Sequence, residues 1–142
     1  MARTDKAARR AARSLILQIL YEVDVAHHKL GVVLTEHLAE AGFDEELERF
    51  VHTITLGTLE KEAELDAYIQ KVAPEWPVDQ MAPVDRNILR MAIYELLYYP
   101  DTPLRVVINE AVELARQFGS ESSRRFVNGA LGTFAKEHLE RK

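Results

Sequence analysis

The sequence predicts an all-α fold of about seven helices in two packed helical lobes. Three observations carry that expectation. Apolar residues recur at helical spacing in every long segment of the 142-residue chain. Only 6 Gly and 5 Pro are present, too few for the many tight turns of a β architecture. Pro74, Pro77 and Pro83 form a single cluster, and proline lacks an N–H and restricts the residue before it, so the cluster marks a hinge. The expected organisation is one domain over 1–142, with an N-terminal lobe 1–73, a proline-rich hinge 74–83 and a C-terminal lobe 84–142.

Taken in order, Thr4 or Asp5 is a candidate cap for a first helix reaching about His27, with Ala12, Leu15, Ile16, Ile19, Leu20 and Val23 as its buried stripe. His27, His28 and Lys29 mark its end, where positive groups suit the helix dipole. A short helix follows over about Gly31–Ala41, and Gly42 breaks it. Asp44 caps a long third helix expected to run to about Val72. Trp76, inside the hinge, is read first as a wedge packing the linker onto a lobe, with a ligand-stacking role as the less favoured alternative. From Val84 to about Tyr98, Leu89, Ala92, Ile93, Leu96 and Leu97 fit the helical template in full, with Asp85 in the first turn.

Thr102 is the expected cap of the next helix, and Pro103 its first residue. Val107, Ala111, Leu114 and Phe118 then recur at helical spacing. Gly119 is expected to stop this helix in the left-handed conformation, and Ser120 to cap the last one. That last helix carries Val127, Ala130, Leu131 and Phe134 inward. Gly129 and Gly132 leave a bare strip suited to close helix approach, and Asn128 and Glu110 are read as structural hydrogen-bonding residues.

Composition excludes several function classes. There is no Cys, so disulfides, thiolate catalysis and cysteine-ligated metals are ruled out. The five His are scattered without ligand spacing, so no metal or other cofactor is expected. No apolar run approaches the ~20 residues of a membrane span, and the charged, alanine-rich start lacks a secretory core, so a cytoplasmic protein is expected.

The net charge of −5 hides an asymmetry. Residues 1–13 carry Arg3, Lys6, Arg9, Arg10 and Arg13 against Asp5 alone, leaving −9 on the remaining 129 residues. A basic start on an acidic protein is a local anion site, and an exposed row of this kind neutralises phosphates. A solvated helix start is the plain alternative, although cations there oppose the helix dipole. A second cluster holds Ser122, Ser123, Arg124, Arg125 and Phe126. An aromatic beside cations at a helix N-terminus suits single-stranded RNA, whose bases stack while phosphates meet N–H groups. Asp85, Arg86, Arg90, Tyr98 and Tyr99 are read together as a protein-binding surface.

Three segments carry a family resemblance: RRAARSLILQILYE, VDRNILRMAIYELL and VINEAVELARQFGSESSRRFVNGAL. In order and spacing they resemble the NusB family of bacterial transcription antitermination factors. The resemblance implies a non-enzymatic, all-helical, cytoplasmic protein that binds single-stranded boxA RNA. It also implies pairing with NusE, a small-ribosomal-subunit protein, within the RNA polymerase antitermination complex, notably on ribosomal RNA operons. By the same resemblance, Arg9, Arg10, Arg13, Ser122, Arg125 and Phe126 are RNA-binding candidates and Asp85 a NusE contact; Arg86 and Tyr98 join Asp85 as partner-binding candidates on the surface reading above. Ala11 and Ala12 stand where related sequences often continue the arginine run, and Ser122 where some carry an acidic residue. Family members occur as monomers and homodimers. A protein-only adaptor without RNA affinity is the alternative. The NusB-like domain of RNA cytosine methyltransferases is disfavoured, because no nucleophilic Cys or glycine-rich cofactor loop is present.

Overall fold

Each apolar stripe finds a neighbouring helix to cover it. A computed structural model describes residues 2–139, with side chains from Lys6 to Leu139. The described residues form seven α-helices and one 3-10 turn, with no strand. These are α1 (Ala2–Ala26), α2 (Leu30–Ala41), α3 (Glu45–Glu60), α4 (Glu62–Val72), α5 (Pro83–Tyr98), α6 (Leu104–Phe118) and α7 (Ser123–His138), with the turn at Val78–Gln80. Thr4 and Asp5 fall inside α1 and so do not cap it; their side chains and that of Arg3 lie outside the described residues.

Helix α5 is central and packs against α1, α3, α4, α6 and α7. One continuous core joins Ile16 and Leu20 of α1, Ile54 of α3, Ile69 of α4, Ile93 of α5 and Phe134 of α7. Full burial of such side chains stabilises by about 1.5–3 kcal/mol each. The polar residues of α5 are paired across to other helices. Asp24 of α1 accepts from Arg86 (2.9 and 3.1 Å), Asn87 (2.8 Å) and Arg90 (3.3 Å). Arg90 also forks onto Asp66 of α4 at 2.7 and 3.0 Å.

Local chemistry explains most ends. Asp44 accepts from Leu47 N–H at 2.8 Å, as a cap should. Gly42 closes α2 with φ 68°, which glycine adopts freely. Five expectations are corrected. The long third helix divides at Lys61 (φ −100°, ψ 18°) into α3 and α4. Helix α6 starts at Leu104, with Pro103 at the cap, so Thr102 caps nothing. Gly119 is extended (φ −96°, ψ −169°), and its requirement is steric: a Cβ there would lie 2.5 Å from Ser123 Oγ. Ser120 does not cap α7; its N–H instead donates to Ser123 Oγ at 2.9 Å. Gly129 and Gly132 border open space and mediate no close helix approach.

Candidate nucleic-acid interface

The start of α1 and the start of α7 meet at one surface. Arg10 of α1, Asn109 and Glu113 of α6, and Ser122, Arg124, Arg125 and Asn128 of α7 border an open concavity of about 790 Å³. Residues 114 positions apart in sequence are thereby joined by the packing of α6, which lies against α7 and brings Glu110 to α1.

Arg10 is held in place. Its Nε and Nη2 donate to the two carboxylate oxygens of Glu110 at 3.0 and 2.8 Å. The guanidinium side chain is 52% exposed, while the Glu110 side chain is only 7% exposed. Hydrogen bonding to Glu110 raises the Arg10 pKa further above its usual value. Glu110 is therefore a structural hydrogen-bonding residue, as expected from its apolar surroundings, and its partner is the candidate cation itself.

The three arginines of α1 differ in environment. Arg9 is half-buried; its guanidinium lies 4.1 Å from the Phe50 ring centroid and donates to Tyr99 Oη at 3.4 Å. It borders a second concavity, of about 610 Å³, with Lys6 and Thr102. Arg13 corrects the expected exposed row. It is 5% exposed and forks onto the buried Glu95 of α5 at 3.1 and 2.5 Å. A buried carboxylate needs a cation beside it, and that requirement turns Arg13 inward.

On α7 the hydroxyl of Ser122 makes no capping bond, so the first-turn N–H groups lack a side-chain acceptor. Ser122 and Arg125 border a third concavity as well, of about 470 Å³, with Phe126 and Trp76. Phe126 is half-buried, leaning on the core while reaching this cleft. Trp76 is 58% exposed and is not the wedge expected from its place among prolines.

The expected partner surface does not assemble. Asp85 lines the same cleft as Ser122, Arg125 and Phe126. Its Oδ1 is buried without a hydrogen bond, and burial pushes its carboxyl up, with the neighbouring Ser123 hydroxyl acting against this. Arg86 is turned inward onto Asp24 and onto the Asp79 carbonyl (3.1 Å). Tyr98 sits at the other end of α5, a rise of about 20 Å away at 1.5 Å per residue. There it is 40% exposed, and its hydroxyl donates to Glu64 at 2.6 Å, which drives its pKa up to about 12. Tyr99 packs edge-on against Phe50 and is not exposed as expected.

Sequence reasoning missed Asn109 and Asn128 as residues of this surface, and it favoured a wedge over a stacking role for Trp76. Asn128 was legible in principle, since it follows Arg124 by four residues and Arg125 by three, on one exposed helix face. Among the described residues no cluster of three His, Asp or Glu is placed to hold a metal, and no helix is long and apolar enough to cross a membrane.

Comparison with known proteins gives consistent results. The model of the NusB family matches residues 10–136. A transcription antitermination protein NusB of Roseiflexus sp. (strain RS-1) is 46% identical over 136 residues, covering 94% of this chain and 96% of the relative. One from Dehalococcoides mccartyi (strain CBDB1) is 44% identical over 129 residues, covering 91% and 90%. The structure of T. maritima NusB superposes with a TM-score of 0.87 at 34% identity, covering 93% of each chain. The fold also matches a solved complex of NusB and NusE with double-stranded RNA, with a TM-score of 0.84 at 23% identity over 93% of this chain and 98% of that one.

Proposed function

The chain belongs to the NusB family, and from that premise we propose a non-catalytic, cytoplasmic transcription antitermination protein that docks single-stranded boxA-type RNA and recruits NusE. The observation that carries the RNA part is the shared concavity. Arg10 supplies charge from the start of α1, and Ser122, Arg124 and Arg125 supply a helix N-terminus and further charge from α7. Charge neutralisation provides affinity, while the Phe126 ring beside it provides a stacking face for a base. Arg9 and Lys6 extend the cationic path along α1. Arg13 contributes through the core and not by touching phosphate.

Asp85 is the proposed contact for NusE. Its half-buried carboxyl lines the cleft beside the RNA surface, and the family resemblance is what assigns it to the partner. In this reading Arg86 holds the hinge and Tyr98 lies apart from the interface. The second reading, a protein-only adaptor, makes a different forecast for one experiment. A boxA RNA oligonucleotide is titrated at two salt concentrations, with and without NusE. RNA binding by the chain alone that weakens with salt and tightens with NusE supports the proposal. Binding to NusE with no RNA affinity in either condition refutes it in favour of the adaptor.

A further inference from the structure

We propose that Trp76 and Phe126 form a stacking cleft that takes one unpaired base of the RNA strand. This deepens the RNA-binding reading above and rests on it. Trp76 is the chain's one tryptophan, and 58% exposure of so large a ring gives up the burial that would stabilise the fold. Its backbone is nevertheless fixed from both sides. Gln70 Nε2 donates to the carbonyls of Trp76 at 2.6 Å and Ala73 at 3.2 Å, while Gln70 Oε1 accepts from Val78 N–H at 3.2 Å. Beyond it, Arg86 anchors the following turn through the Asp79 carbonyl. An anchored backbone carrying an exposed ring is a preorganised binding element.

The cleft is about 470 Å³, within the usual range for small-molecule-sized sites, and Phe126 provides its second ring. The occupant follows from what surrounds the rings. Arg125 and Ser122 border both this cleft and the concavity containing Arg10. A strand whose phosphates follow these groups presents its next base to the rings. Gln80 and Arg125 line the cleft beside the apolar Met81 and Ala82, a mixture that suits a base, which stacks by its faces and hydrogen-bonds by its edges.

Because there is only one tryptophan, its fluorescence reports on this cleft alone. A single-stranded boxA-type oligonucleotide should quench it, with the same midpoint as the anisotropy change of labelled RNA. Trp76→Ala should weaken RNA binding by roughly 5- to 150-fold without changing the salt slope, the effect of losing one stacked base. Trp76→Phe should restore affinity to within a few-fold. Thermal unfolding of both variants should match the parent protein, since the ring is exposed. RNA binding with unaltered fluorescence, or parental affinity in Trp76→Ala, overturns the cleft and leaves the wider RNA reading standing. A fluorescence change with NusE and none with RNA assigns the cleft to protein and overturns it as well. Absence of any RNA binding by anisotropy removes both readings.

Discussion

Arg10 and Glu110, one hundred residues apart in sequence, form a two-pronged ion pair in which the carboxylate is buried and the guanidinium faces out. The asymmetry decides which partner serves the other. Glu110 cannot release Arg10 without leaving a buried carboxylate unpaired, so the pair should persist when RNA arrives. Two of the guanidinium nitrogens face Glu110, and the Nη1 edge makes no hydrogen bond among the described residues. Glu110 is thus a positioning residue for Arg10.

Glu110→Gln removes a negative charge beside the RNA surface, which by charge alone would tighten binding. Loss of the two-pronged clamp should instead weaken RNA binding by about 2- to 10-fold, the expected effect of releasing one long side chain. The salt slope should fall with it, as in Arg10→Ala, and the two substitutions should be non-additive. Tighter binding in Glu110→Gln would show that Glu110 competes with phosphate.

The Arg13–Glu95 pair makes the opposite forecast. Both side chains are buried, at 6% and 2% exposure. Arg13→Ala leaves Glu95 uncompensated and should cost about 3–5 kcal/mol in urea unfolding. The salt slope of RNA binding by the folded protein should not change. Replacing both residues together with apolar ones of similar volume should recover much of the stability. A stable Arg13→Ala protein with a reduced salt slope would return Arg13 to the RNA surface.

Asp85 gives a pH-dependent signal. Burial raises its carboxyl above the ordinary aspartate value, so the fold favours the protonated form. That contribution is fully present below the ordinary value of ~3.9 and is lost as pH rises through the raised one. At neutral pH the ionised group therefore destabilises the fold. Asp85→Asn should stabilise the protein at pH 7, with the gain fading in acid. The same variant should bind NusE more weakly. Equal stability of the two proteins across that pH range would contradict the assignment of an unfavourably buried carboxylate.

Features with a local cause were legible in the sequence. The helices follow from apolar spacing, and Gly42 and Asp44 act through chemistry confined to their own turn. Features set by a distant residue were not. Lys61 reads as part of a solvated helix, with no proline or glycine at the break itself. Yet α3 and α4 both pack on α5, and Tyr94 occupies the space where a Gly57 Cβ would stand, 2.1 Å from Tyr94 Cζ. Arg10 and Arg13 are three residues apart on one helix and look equivalent. Glu110 keeps the first at the surface and Glu95 draws the second into the core, and neither carboxylate is near them in sequence. The convergence of Arg10 with Ser122 and Arg125 was expected from the need for one RNA strand to use both ends of the chain. The entry of Trp76 and Asp85 into the same cleft as Phe126 was not, because it depends on how the hinge folds back over α7.

The central claim is that one RNA strand spans both helix starts, and the salt dependence of RNA affinity tests it most directly. The slope of log affinity against log salt is measured for the parent chain, Arg10→Ala, Arg125→Ala and the double variant. Each single substitution should reduce the slope by about 0.7, the single-strand value for one phosphate contact, and the double variant by about 1.4. A slope that responds to only one of the two arginines, or to neither, would contradict a strand bound across α1 and α7 together.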